Sequence, residues 1–265
     1  MLKGFSVPRS PEGKAALIPT PPWHYAGDFL VLEYWADPNA VKAVLPPGLK
    51  PYDEDMGRCA ALFIDWQSCT TDQTELIDPV RSQYKEFFIV VNALYKGELV
   101  TYCPYIWVDK DFALARGWVQ GFPKKLGSIH MTRSFNVASS AAPVIGPGGR
   151  FAGTLAANDR RLAYGEVVLE QKSEGGPTHN DPPITNVRYF PRLASDFQDS
   201  PAVNELVRAR SRNRAISEIW EGTAKLELLP APNEEHTALL PVKMGKGFQF
   251  SFAYTVDDLE TLETF

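Results

Sequence analysis

The sequence predicts one mainly β (α+β) domain, its antiparallel strands curled into a barrel or cone and joined by a few short helices. Three observations predict it. Near the C-terminus Phe248, Phe250, Phe252, Tyr254 and Val256 alternate with Gln249, Ser251, Ala253 and Thr255, and such period-two alternation puts an aromatic set on one face of a strand. Two apolar runs, Glu86–Leu94 and Leu99–Val108, flank Lys96-Gly97, the composition of a hairpin. No repeat, linker or composition break divides the 265 residues, so residues 1–265 read as a single domain.

The remaining elements follow in chain order. Pro8–Pro22 reads as an extended arm, and Phe29–Trp35 as a strand. Asp37-Pro38 has the form of a helix start, with Asp as N-cap and Pro at the first helical position; Val41, Val44 and Leu45 then fall at helical spacing, and Pro46-Pro47-Gly48 ends the helix. Ala60–Trp66 is the next strand. Asp109–Arg116 is expected to form a short helix stopped by Gly117. Pro143–Gly149 is a loop, Gly153–Ala157 and Tyr164–Gln171 are strands, and Lys172–Pro183 is a polar loop. Ser200-Pro201 is expected to open a helix, and Ile216–Leu229 to form two strands bent at Gly222.

Composition excludes some functions. Hydrophobic residues make up 44% of the chain, enough for a sizeable core. The net charge of −5 argues against a nucleic-acid partner, which wants clustered cations. The basic run Arg208, Arg210, Arg212 and Arg214 is expected to be a solvated or subunit-facing surface. Cys59, Cys69 and Cys103 match no zinc or redox spacing and read as thiols in a reducing compartment. Neither a signal peptide nor a membrane span is visible, so a cytoplasmic location and no membrane partner are expected. The glycines at 146, 148, 149 and 153 do not keep dinucleotide-loop spacing, and the four histidines suggest no metal site.

The informative stretch is Gly121-Phe122-Pro123-Lys124-Lys125-Leu126-Gly127. Two adjacent lysines sit in apolar company, with glycines that let the backbone pack closely. A lysine amine attacks a ketone only when neutral, and its ordinary pKa is ~10.4. Burial lowers that value by stripping hydration from the ammonium, and a second cation nearby lowers it further. Lys124-Lys125 is therefore a candidate imine-forming pair.

Around it lie Tyr105–Ala115 and Gly117; earlier come Phe29-Leu30-Val31, Asp37 and Val44–Leu49; later come Trp220-Glu221-Gly222, Leu226–Leu228 and Leu240–Lys243. With these segments the chain resembles the acetoacetate decarboxylase-like superfamily over nearly its whole length. The resemblance implies a β-barrel-like cone, a homo-oligomer and no dissociable cofactor. It implies that Lys124 is the Schiff-base lysine, that Lys125 is its perturbing neighbour, and that Glu86 is the active-site glutamate.

The chain also departs from the decarboxylases. Their arginine before the first strand falls near Gly27, and their acidic partner near Ala61 or Leu62. Gly-Arg-Glu becomes Gly117-Trp118-Val119, and one residue is missing before the lysine pair. Gln120 and Tyr254 bring polar groups instead, and are candidates for moving protons. The expectation is a Schiff-base lyase acting on a small oxo acid, slightly favoured as a pyruvate-type aldolase-dehydratase with an aldehyde as second substrate. An acetoacetate (3-oxo acid) decarboxylase is the alternative. A non-catalytic barrel binding a small ligand is the alternative from another class.

Overall fold

The structure is a computed structural model that describes residues 1–194 and 200–265. After an irregular N-terminal arm, β1 (Trp23–Trp35) leads into α1 (Pro38–Val44), where the Asp37 carboxylate caps the helix by accepting from Asn39 N at 2.7 Å. β2 (Lys50–Pro51) and β3 (Arg58–Cys69) follow. β4 (Gln83–Tyr95) and β5 (Glu98–Val108) form the expected hairpin, with Lys96 and Gly97 both at positive φ, the backbone of a tight two-residue turn.

Next come α2 (Asp111–Val119), β6 (Lys124–Leu126), β7 (Ser128–Met131), β8 (Arg150–Ala157) and β9 (Arg160–Lys172). The chain closes with β10 (Thr185–Phe190), β11 (Val203–Ile216), β12 (Trp220–Leu228) and the 22-residue β13 (Lys243–Thr264).

The strands make one curled sheet in the order β6-β5-β4-β3-β1-β13-β12-β9-β8-β7. All its pairings are antiparallel except β5–β6, which is parallel. The length of β13 organises the curl. One edge pairs with β1, while the other pairs first with β12 and then with β11. β11 carries β10, and Ile184, just before β10, makes an isolated parallel bridge with Thr101 of β5. The barrel is thus a description of the curl rather than a closed hydrogen-bonded ring.

Both faces of the central strands are buried. Leu30, Leu32, Phe63, Phe87 and Trp107 point into one core, and Val31, Leu62, Ile64, Phe88 and Ile106 into the other. That is why Ala60–Ile64 is apolar at every position instead of alternating. The second core surrounds the candidate site.

Three sequence expectations need correction. Ser200-Pro201 opens no helix: it leads into strand β11, whose arginines at 208, 210, 212 and 214 are spaced by two. Ile216–Leu229 is not two strands bent at Gly222. β11 ends at Ile216, and β12 is continuous, with a register shift between Glu221 and Gly222. Finally, α2 runs through Gly117 and stops at Gln120-Gly121, where Gly121 takes φ +84°. Gly117 serves packing, not termination: a Cβ there would stand 2.2 Å from Lys124 Cδ.

Candidate active site

Lys124 begins β6, paired beside Ile106 of β5. Strand alternation sends its side chain inward and that of Lys125 outward. The Lys124 amine is buried, runs through the gap left by Gly117, and donates to Glu86 Oε2 at 2.5 Å. Trp66 Nε1 donates to the other Glu86 oxygen at 3.2 Å, fixing the carboxylate. The rings of Tyr84 and Phe122 flank the amine at 5.4 and 5.6 Å. Trp118 Nε1 holds the Lys124 carbonyl at 2.9 Å.

The Lys125 amine instead bonds Glu234 at 2.5 Å and lies over Trp107, with 49% of its side chain exposed. The structure does not bring it beside Lys124. The second cation near Lys124 is Arg116, which the sequence reading passed over. Arg116 is buried, donates to Ser68 Oγ at 3.0 Å, and stacks over Tyr25 at 4.8 Å. No acidic side chain among the described residues pairs with it. Helical spacing was a usable signal: Phe112, Arg116 and Gln120 lie four apart, on one face of α2.

Burial lowers the Lys124 pKa, Glu86 opposes that shift, and the Arg116 charge adds to it; the net direction is down. Two substitutions should separate these terms. In Glu86→Gln, the pH midpoint for imine formation should fall, because a raising influence is gone. In Arg116→Met it should rise, because a lowering one is gone. The check is the rate of borohydride-trapped adduct against pH, with folding verified by circular dichroism. Equal midpoints in all three proteins would show that burial alone sets the amine.

Gln120 and Tyr254 join the same cavity, which measures about 580 Å³ and is lined also by Glu86, Phe29, Ile64, Trp66 and Phe122. Gln120 Nε2 reaches the Tyr25 hydroxyl at 3.5 Å. Tyr254 stacks on Tyr25, with ring centroids 5.0 Å apart, and meets Trp66 edge-on. Burial, with smaller help from Tyr25 and Glu86, pushes the Tyr254 phenol well above its ordinary pKa, so it is a neutral proton donor across the physiological range.

The departures from the decarboxylases have physical reasons. Any Cβ at Gly27 would stand 2.6 Å from the Trp66 ring, so no arginine fits there. Leu62, on the cavity wall, leaves that wall apolar, while Ala61 points into the opposite core. The arginine run of β11 is not simply a solvated surface: Arg208, Arg210 and Arg214 line the cavity rim. Among the described residues no cluster could hold a metal ion, and no helix is long and apolar enough to cross a membrane. The three cysteines are free.

A curled β-sheet enclosing a buried lysine–carboxylate pair in an apolar cavity defines the class. Residues 6–264 match the acetoacetate decarboxylase family, and the chain belongs to it. Among solved structures it is similar to the enduracididine biosynthesis enzyme MppR complexed with the condensation product of pyruvate and imidazole 4-carboxaldehyde. Identity is 35% and the TM-score 0.93, covering 99% of this chain and 97% of that one. MppR complexed with pyruvate gives 35% identity and a TM-score of 0.92, over 99% and 98% of the two chains. An acetoacetate decarboxylase-like enzyme from Sphingomonas wittichii RW1 gives 26% identity and a TM-score of 0.90, over 99% and 100%. No curated protein sequence matches the chain.

Proposed function

We propose that this protein is a Schiff-base lyase that condenses pyruvate with an aldehyde and dehydrates the adduct. The observation that carries the reading is the buried Lys124 amine, 2.5 Å from Glu86, whose carboxylate lines a cavity together with Gln120 and Tyr254. The likeness to MppR, which has been captured with pyruvate and with a pyruvate–aldehyde condensation product, supports it.

Neutral Lys124 adds to the pyruvate ketone carbon. The carbonyl oxygen takes up two protons and leaves as water, giving an iminium. The iminium draws electrons from the methyl carbon, which gives its proton to the Glu86 carboxylate and becomes an enamine. The enamine carbon attacks the aldehyde carbon, and the new alkoxide takes the Tyr254 proton. The Tyr254 phenolate takes a second proton from the same carbon, the hydroxyl takes the proton held by Glu86 and leaves as water, and a conjugated iminium results. Hydrolysis releases the unsaturated oxo acid and restores the amine. Gln120 orients the oxygen of the ketone or aldehyde by donating to it.

The apolar wall at Leu62 and the absence of a side chain at Gly27 weigh against decarboxylation, because neither offers a charge to the substrate. The test compares two reactions in one preparation. Pyruvate plus an aromatic aldehyde should build a conjugated product absorbing in the near ultraviolet, and acetoacetate should release little carbon dioxide. Steady carbon dioxide release at the ~1–10³ s⁻¹ common for enzymes, without condensation, would return the chain to the decarboxylases.

A further inference from the structure

The cavity does not end at the lysine. Phe29, Ile64 and Glu86 stand side by side across β1, β3 and β4, and Glu33, Ala60 and Val90 form the corresponding row four residues further along each strand. Four residues of extended chain span ~13 Å. The walls between are Leu62 and Phe88, with Phe29 and Phe122 nearer the amine.

At the far row the lining turns polar. The loop after β9 brings in His179 and Asn180, and β5 supplies Thr101. All three are buried or half-buried, and His179 Nε2, Asn180 Nδ2 and Thr101 Oγ1 have no hydrogen-bond partner. Unmet polar groups in a dry place cost roughly 1–3 kcal/mol each, and three of them along one end of a cavity are a reason to look for a ligand. The Glu33 carboxylate behind them is already committed. It accepts from Arg58 at 2.7 Å and from Thr178 at 2.9 Å, and His179 Nδ1 stands 3.5 Å away. Burial alone would raise this carboxyl, but His179 and Arg58 outweigh burial and hold it at about 2. Burial lowers the His179 pKa, and the neutral ring turns Nδ1 toward Glu33, leaving Nε2 as an acceptor.

Two of the three rim arginines are ion-paired as well. Arg208 pairs with Glu98 at 2.9 Å and Arg210 with Glu260 at 3.2 Å. Arg214 donates to the Asn180 carbonyl and lies over Phe252. Asp181 adds a negative charge to the same lining. What remains open is a neutral set of donors and acceptors at the end of an apolar slot.

We propose that Thr101, His179 and Asn180 form a distal subsite that binds a neutral hydroxyl carried at the far end of a flat, apolar acceptor aldehyde. The proposal rests on the aldolase reading for its substrate, but the subsite can be tested apart from turnover. The slot accepts a ring between the aliphatic and aromatic walls, and the hydroxyl both donates to and accepts from the three side chains. An acceptor without that hydroxyl leaves them unmet, and an anionic one would bring its charge beside Asp181.

Two readouts test it. Calorimetry would measure binding of benzyl alcohol, 4-hydroxybenzyl alcohol and 4-(hydroxymethyl)benzoate, none of which reacts. Absorbance would follow pyruvate condensation with benzaldehyde, 4-hydroxybenzaldehyde and 4-hydroxycinnamaldehyde. The hydroxylated compounds should be favoured about five- to thirty-fold in Kd and in kcat/KM. Thr101→Val, which keeps shape, should shrink that ratio, and Asn180→Ala does the same if the valine variant does not fold. Equal binding of the hydroxylated and plain alcohols, or tightest binding of the carboxylate, overturns the subsite. A hydroxyl preference in binding with no condensation product leaves the subsite standing and removes the aldolase reading. Condensation with no hydroxyl preference does the reverse.

Discussion

Lys124→Ala is expected to abolish the adduct that borohydride traps between this protein and pyruvate, while Lys125→Ala keeps it. The two residues are neighbours in sequence but not in space. Alternation along β6 places the Lys124 amine on Glu86 inside the cavity, and the Lys125 amine on Glu234 outside it. The first has lost its hydration, and burial lowers its pKa; the second keeps 49% of its side chain exposed. Intact mass after reduction reads the result directly. A full adduct in the alanine variant at 124 would place the imine on another amine. Loss of the adduct at 125 with normal folding would mean that the surface amine is the nucleophile. Removing Lys124 also leaves Glu86 buried without its cation, a change that costs about 3–5 kcal/mol in comparable pairs. Lys124→Met removes the same charge but fills the channel beside Gly117 with an apolar chain of similar length, so it separates the loss of the amine from the loss of packing. It should fold and should likewise give no adduct.

How much of this was legible beforehand depended on whether the signal was local. The hairpin at Lys96-Gly97, the Asp37-Pro38 cap and the aromatic alternation of β13 are short-range patterns, and all three appear in the structure. β11 was misread because Ser200-Pro201 resembles a helix start, while the arginines at every second position were read only as charge. Their period of two is a strand signal, and it also places Arg208, Arg210 and Arg214 by the cavity.

The pairing of Lys124 with Glu86 could be expected only from the family resemblance, since 38 residues separate them and the contact needs β4, β5 and β6 side by side. Arg116 illustrates the opposite case. Its position on the buried face of α2, four residues from Phe112 and four from Gln120, was readable from helical spacing alone. What hid it is that a buried arginine without an acidic partner runs against the usual rule for charged groups. The far end of the cavity was not legible at all, because the loop that carries His179 and Asn180 is polar in composition and acquires its position only from the curl of the sheet.

The Tyr254→Phe variant should leave the pyruvate imine trappable and slow condensation about 10²–10⁴-fold, the usual worth of general acid–base help. The exchange keeps the ring that stacks on Tyr25 at 5.0 Å and meets Trp66 edge-on at 5.8 Å, so the cavity wall survives. What it removes is one proton donor. Burial holds that phenol neutral, which suits it to protonate the alkoxide formed as the enamine attacks the aldehyde and, as the phenolate left behind, to accept the second carbon proton when the hydroxyl leaves. Imine formation precedes both events and depends on the Lys124–Glu86 pair, so the two stages separate: adduct mass reports the first, and near-ultraviolet absorbance of the conjugated product reports the second. An unchanged condensation rate would make Tyr254 a packing residue and pass its role to Gln120, whose amide donates to the Tyr25 hydroxyl from the other side of the same stack. A variant that forms the aldol adduct but does not dehydrate it would confine the phenol to the second elimination, and mass spectrometry of the released product distinguishes that case by one retained water.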